Sequence, residues 1–140
     1  MEIKFRAKFK DAKYPHRSIG EWFYGYVSRD RKGSWFIDTF HEQYYAVEEK
    51  SIGQYTGVKD IHGVEIYTGD ILRITSNFPL RKDVQEYVVT FEKGSFTTEE
   101  WMLFELLRNQ TDGKQTFEVI GNVFETEVMH WYNTSIYKRD

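Results

Sequence analysis

The sequence contains no cysteine, which excludes disulfide frameworks, thiolate zinc sites and cysteine nucleophiles in one step and fits a reducing compartment. Leu and Ala, the preferred helix formers, number only five and three, so a helix-rich fold is disfavoured. Long apolar runs are absent as well. The chain opens Met-Glu-Ile-Lys-Phe-Arg, with charges interspersed, and so shows neither the apolar core of a signal peptide nor a later spanning segment. These features predict a chain that stays inside the cell and makes no membrane contact. The sequons at Asn109-Gln110-Thr111 and Asn133-Thr134-Ser135 are then chance matches, because a cytosolic chain does not meet the glycosylation machinery.

What the sequence does contain is aromatic and β-branched. Apolar and aromatic residues make up 40% of the 140 positions, with Phe, Tyr, Ile and Val dominant. Such side chains lose rotamer freedom in a helix but pack well on a pleated sheet, and this much apolar surface demands burial rather than disorder. The length suits a single domain, residues 1–140, able to bury about two thirds of its unfolded surface. The net charge of −3 is unevenly spread: residues 1–33 carry nine Lys or Arg against four Asp or Glu, and residues 34–140 carry ten against eighteen. That asymmetry fits nucleic-acid contact by the basic part, or attraction between opposite patches of neighbouring copies. The sequence pI of about 5.8 weighs against the first.

Ile3 to Lys10 alternates strictly, placing Ile3, Phe5, Ala7 and Phe9 on one face and Lys4, Arg6, Lys8 and Lys10 on the other, as a half-buried strand does. The cations are either solvated guards of a sheet edge or phosphate contacts. Trp22–Val27 and Ser34–Asp38 flank the tip Arg29-Asp30-Arg31-Lys32-Gly33 and read as a β-hairpin. A basic tip with aromatic arms suits single-stranded nucleic acid, although aromatics in strands more commonly form the core. A further strand is expected through Tyr44, Ala46 and Val47, ending at Glu48 and Glu49. Gly57, Gly63 and Gly69 recur every six residues; Asp60 to Gly63 reads as a tight turn, and Gly69-Asp70 as a second that launches the strand Ile71–Ile74. Asn77 and Pro79 break the chain before a strand over Tyr87–Phe91 and the turn Glu92-Lys93-Gly94-Ser95. Thr97-Thr98-Glu99-Glu100 matches a capping box, and Trp101, Phe104 and Leu107 follow at helical spacing, predicting one short helix over about 98–108. Asp112-Gly113 closes it, and Phe117–Phe124 gives a last strand before a tail rich in Tyr and Trp.

Ser51–Gly57, Lys59-Asp60, Gly63, Glu65–Ile71 and Val119–Glu125, with weaker support from Ile3–Ala7, resemble the YopX-like family. The resemblance implies a small, β-rich protein of phages and prophages acting in the bacterial cytoplasm, with a small barrel. It implies no catalytic residues. The expected architecture is therefore mostly β, a small barrel-like antiparallel domain with hairpins and one short helix, in which residues 1–50 form a hairpin region and residues 51–125 the barrel-like core.

Catalytic templates fail letter by letter. His41-Glu42 begins a zincin pattern, but Tyr45 occupies the second histidine position. Neither Ser34 nor Ser95 lies in a nucleophile elbow, and the recurring glycines lack the Gly-Lys-Ser/Thr ending of a phosphate loop. Asp38 with Glu48-Glu49-Lys50 is similar to the Asp…Glu-x-Lys set of metal-dependent nucleases, in which two carboxylates hold the metal and the lysine steadies an attacking water. Solvated surface charge explains the same letters. His16, His41, His62 and His130 are scattered along the chain.

Three readings follow, with no cofactor, catalytic residue or resident metal assigned. The first is a non-catalytic accessory protein acting through protein–protein contacts with a host or phage protein, as a homo-oligomer, with Trp131 and Tyr132 as anchors. The second is nucleic-acid binding by Lys4, Arg6, Lys8, Lys10, Arg29, Arg31 and Lys32, which requires those cations to share a face. The third is the metal-dependent nuclease, which requires Asp38 and Glu48 at one ion.

Overall fold

A computed structural model describes residues 2–10, 19–41 and 43–125, and the chain divides into two compact units, Met1–Tyr55 and Thr56–Asp140. The fold is mostly β, with antiparallel sheets and a single α-helix among the described residues.

In the first unit, β1 (Phe5–Lys8), β2 (Trp22–Arg29), β3 (Trp35–Thr39) and β4 (Tyr44–Ala46) form a sheet in the order β4-β3-β2-β1, and the first residues of β5 (Gly53–Lys59) pair with β1. The expected hairpin is β2–β3, in register from Gly25 opposite Thr39 to Arg29 opposite Trp35. Its turn is held by Asp30, whose Oδ1 accepts hydrogen bonds from the backbone N–H groups of Lys32 and Ser34, both at 2.9 Å. One sheet face buries Ala7, Phe9, Phe23, Ile37, Tyr45 and Val47. Phe23 stacks on Tyr45 at 4.4 Å, and Phe9 meets both rings edge-on at 5.8 and 5.6 Å, geometries that add about 1 kcal/mol per pair to the burial itself. Val47 bridges Phe9, and a single 3-10 turn, Glu49–Ser51, leads to β5. There the Ser51 hydroxyl accepts the Lys8 N–H at 2.7 Å.

In the second unit the rest of β5 adjoins β6 (Glu65–Tyr67), and β7 (Asp70–Phe78) lies between β8 (Arg81–Val88) and β11 (Gln115–Asn122). A small hairpin, β9 (Thr90–Glu92) and β10 (Ser95–Thr97), precedes α1 (Leu103–Thr111). Ile66, Leu72, Ile74, Val89, Leu103, Leu106 and Phe117 form the core. The residues that carry the family resemblance do structural work here. Asp60 Oδ1 accepts the N–H groups of His62 and Val64, and its Oδ2 reaches across to the N–H of Val119 at 2.9 Å. Asp70 Oδ2 accepts the Tyr67 N–H at 2.8 Å, while Gly63 and Gly69 take φ of +82° and +94°, a region L side chains rarely enter.

No closed barrel is found among the described residues, and of the barrel-like expectation the mostly β, antiparallel architecture is what holds. Three further expectations need correction. The helix covers Leu103–Thr111 rather than 98–108, because Glu100 is drawn away to Arg81 and Tyr87. Thr98 then caps a turn with Trp101 instead, and the helix N-terminus is closed by Glu105, which accepts the Met102 N–H at 3.1 Å. The buried helical stripe is Leu103 and Leu106, whereas Phe104 is 68% exposed. Finally, the strand expected over 87–91 begins at Arg81 and is broken at Val89, where the backbone N–H bonds Asp70.

Candidate functional site

The run Trp22-Phe23-Tyr24-Gly25-Tyr26-Val27 is apolar at both parities, so a strand made from it must present aromatic rings on two faces. Phe23 and Val27 take the core side. The pairing then fixes what lies on the outer side. Arg6 stands opposite Tyr24 and Lys8 opposite Trp22; Tyr26 stands opposite Asp38 and Ser28 opposite Phe36; Asp38 stands opposite Tyr44. Directly opposed residues share a face, so one surface carries Arg6, Lys8, Trp22, Tyr24, Tyr26, Phe36, Asp38 and Tyr44.

The rings form two groups. Tyr26 meets Phe40 edge-on at 5.4 Å. Phe36 stacks on Tyr44 at 4.8 Å, and the Tyr44 hydroxyl reaches Ser28 Oγ at 3.3 Å. Tyr24, Tyr26, Phe40 and Tyr44 keep 45–54% of their surface exposed, an unusual concentration of wet aromatics for one small sheet. A cleft of about 340 Å³ borders them, lined by Trp22, Tyr24, Phe40 and His41 together with Glu21, Phe23, Thr39 and Gln43. Gly25 allows the close passage of β3. A Cβ there would overlap the Asp38 carbonyl oxygen and lie 3.0 Å from Thr39 Cα.

The sequence-derived cations separate into groups. Lys4, Arg6 and Lys8 do share the outer face, but their charges sit over rings: Lys4 over Tyr55 at 5.1 Å, Arg6 and Lys8 over Trp22 at 4.7 and 5.4 Å. Arg6 is only 7% exposed. Lys10 lies beyond the end of β1. Arg29 turns to the opposite face, over Trp35 at 5.6 Å, and Arg31 and Lys32 are exposed in the hairpin turn. Trp131 and Tyr132 lie outside the described residues. Asp38 and Glu48 are not brought together: Asp38 faces Tyr44 at the start of β4, and Glu48 is four residues further on, about 13 Å along an extended chain. Among the described residues no group of three His, Asp or Glu side chains is placed to hold a metal ion.

Two charged clusters occupy the second unit. Arg73 on β7 lies between Glu86 on β8 at 3.2 Å and Glu118 on β11 at 3.5 Å, and His62 Nε2 stands 3.0 Å from Glu118. These are solvated cross-strand pairs of small individual worth. In the other cluster Arg81 pairs with Asp83 at 2.8 Å and with both oxygens of Glu100, which also accepts the Tyr87 hydroxyl at 2.7 Å. The Arg81 guanidinium, followed by the Tyr87 hydroxyl, holds the Glu100 carboxyl below its usual range. Desolvation and the bond to Glu100 push the Tyr87 hydroxyl up to about 12. Tyr87 is thus a fixed donor at neutral pH and a poor proton acceptor. The cluster ties β8 to the turn before α1, with Arg81 over Trp101 and Phe78 stacked beneath.

The hairpin arms read from their letters as core or as stacking platforms, and the structure divides them, with Phe23 and Val27 to the core and Tyr24 and Tyr26 to the exposed face. The doubled parity of residues 22–27 was the available signal. Among the described residues no helix is long and apolar enough to cross a membrane. No curated protein matches this sequence. The YopX protein family matches it over residues 4–129, a span that takes in the N-terminal sheet as well as the Asp60, Gly63 and Gly69-Asp70 turns, and the chain belongs to that family.

Proposed function

We propose that this protein is a phage-encoded accessory protein that works by binding, without a catalytic step, and that it meets a protein partner through the outer face of the β1–β4 sheet. The observation supporting this reading is the cluster of half-exposed rings, Tyr24, Tyr26, Phe40 and Tyr44, on one face beside a cleft. Tyr and Phe bring large contact areas with few rotatable bonds, which is why they anchor interfaces and why contiguous exposed rings mark them. The Tyr-rich tail remains a second anchor of the same kind.

The test is a comparison of wild type with the combined variant Tyr24→Ser, Tyr26→Ser, Tyr44→Ser. Those side chains lie outside the core, so the variant retains its fold. Proteins captured from bacterial lysate by the wild type, and any self-association seen by sedimentation, should be lost in the variant. Unchanged recovery and mass would overturn the reading.

A second reading is single-stranded nucleic-acid binding on the same face, favoured by the shared side of Lys4, Arg6 and Lys8 and by rings able to stack on bases. Arg6 is largely consumed by Trp22, which weakens the phosphate attraction. Fluorescence anisotropy against short DNA and RNA tests it: affinity that falls steeply with salt and disappears in the tyrosine variant supports it, and no binding at low salt ends it.

A further inference from the structure

On the outer face, Asp38 is the residue that the aromatic groups leave uncovered. It faces Tyr26 on one side and Tyr44 on the other. Tyr26 turns toward Phe40, while Tyr44 leans over Phe36 toward Ser28, so the two ring groups part over the carboxylate. Asp38 is exposed, and among the described residues its side chain makes no hydrogen bond or ion pair. A lone carboxylate framed by rings is complementary to a cation whose flat faces tolerate aromatic contact.

We infer that Asp38, between Tyr26 and Tyr44, receives an arginine side chain of the protein partner. The inference rests on the reading of this face as a protein-binding surface. Arginine suits the position better than lysine, because its planar guanidinium forks onto a carboxylate while stacking on a ring, whereas an ammonium is compact and strongly hydrated. The same face already uses this chemistry internally, with the Arg6 guanidinium over the Trp22 ring at 4.7 Å.

The full chain, isotope-labelled, is titrated with Nα-acetyl-arginine amide and separately with the neutral isostere Nα-acetyl-citrulline amide, followed by amide NMR. Arginine shifts the signals of Tyr26, Asp38 and Tyr44 saturably, and citrulline requires about fivefold higher concentration. Asp38→Asn, nearly isosteric and exposed, removes the difference, and Glu49→Gln, the same charge change off this face, preserves it. The inference is overturned if arginine causes no shift by about 100 mM, if arginine and citrulline act alike, or if Asp38→Asn leaves the difference intact. Equal binding of both amides at these residues removes arginine selectivity but leaves the face as a contact surface; undiminished partner capture by the tyrosine variant removes the face itself.

Discussion

Replacing Asp60 by Ala removes one buried carboxylate and three hydrogen bonds together. Asp60 is 5% exposed and accepts the N–H groups of His62, Val64 and Val119 at 2.8, 2.9 and 2.9 Å. A bond to a charged acceptor is worth about 1.5–3 kcal/mol, and a buried donor left unpaired costs about 1–3. The His62 and Val64 amides lie in an exposed turn where water can replace the carboxylate, so each takes the low end. The Val119 amide lies inside β11 and loses more. The sum is about 3–4 kcal/mol. Asp60→Asn keeps an oxygen for the turn amides but directs an NH2 toward the Val119 N–H, which predicts an intermediate loss of about 2 kcal/mol. Urea unfolding, followed through the amide signals of β7 and β11, reports on this unit alone; at a slope of about 2 kcal/mol per molar, Asp60→Ala lowers the midpoint by about 1.5–2 M. A loss under about 1 kcal/mol, or an Asn variant as unstable as the Ala variant, would refute this account of the turn.

Other perturbations separate the remaining structural claims. Gly25→Ala forces a Cβ onto the Asp38 carbonyl and should cost about 2–4 kcal/mol in the first unit through lost β2–β3 pairing; wild-type hydrogen exchange at Phe36 and Asp38, whose amides face β2 in the antiparallel alternation, would contradict this. Leu106→Ala opens a cavity beneath α1 and costs about 2–5 kcal/mol, whereas Phe104→Ala one turn surface away costs under about 1, as measured by chemical denaturation; equal losses would mean the helix is rotated. The raised hydroxyl of Tyr87 favours the protonated form in the folded state, so its stabilising contribution is complete below the ordinary tyrosine range near 10 and is lost as pH rises toward about 12. Stability measured across that window should fall less in Tyr87→Phe than in wild type. Glu100 has the opposite sign: its depressed carboxyl contributes above the usual carboxylate range and loses that contribution as pH falls through its lowered value.

Local chemistry made several elements legible from the letters. The β2–β3 hairpin announced itself by two aromatic runs around an Asp-containing turn, and the Asp60–Gly63 and Gly69-Asp70 turns by residues that bond their own backbone or accept positive φ. What remained hidden depended on long-range partners. The first part of β8, Arg81 to Glu86, is almost wholly polar because its side chains meet Arg73, Glu100 and solvent rather than a core. The capping box at Thr97–Glu100 matched by letter, yet Arg81 and Tyr87, distant in sequence, claim Glu100 and displace the helix start. The candidate site was half legible. The alternation of residues 3–10 groups Lys4, Arg6, Lys8 and Lys10 on one face, and the register carries Arg6 and Lys8 onto it, but only that register reveals that Tyr24, Tyr26, Phe36 and Tyr44 join them there and that Asp38 stands among the rings.

The central claim is that the protein meets its partner through this aromatic face, and site-specific photocrosslinking in bacterial cells tests it most directly. A benzophenone amino acid replaces Tyr26 or Tyr44 in one set of chains and Phe91, an equally exposed ring on β9, in another. The account predicts discrete covalent adducts from positions 26 and 44 and none from position 91. Adducts from position 91 alone, or none from 26 and 44, would contradict it.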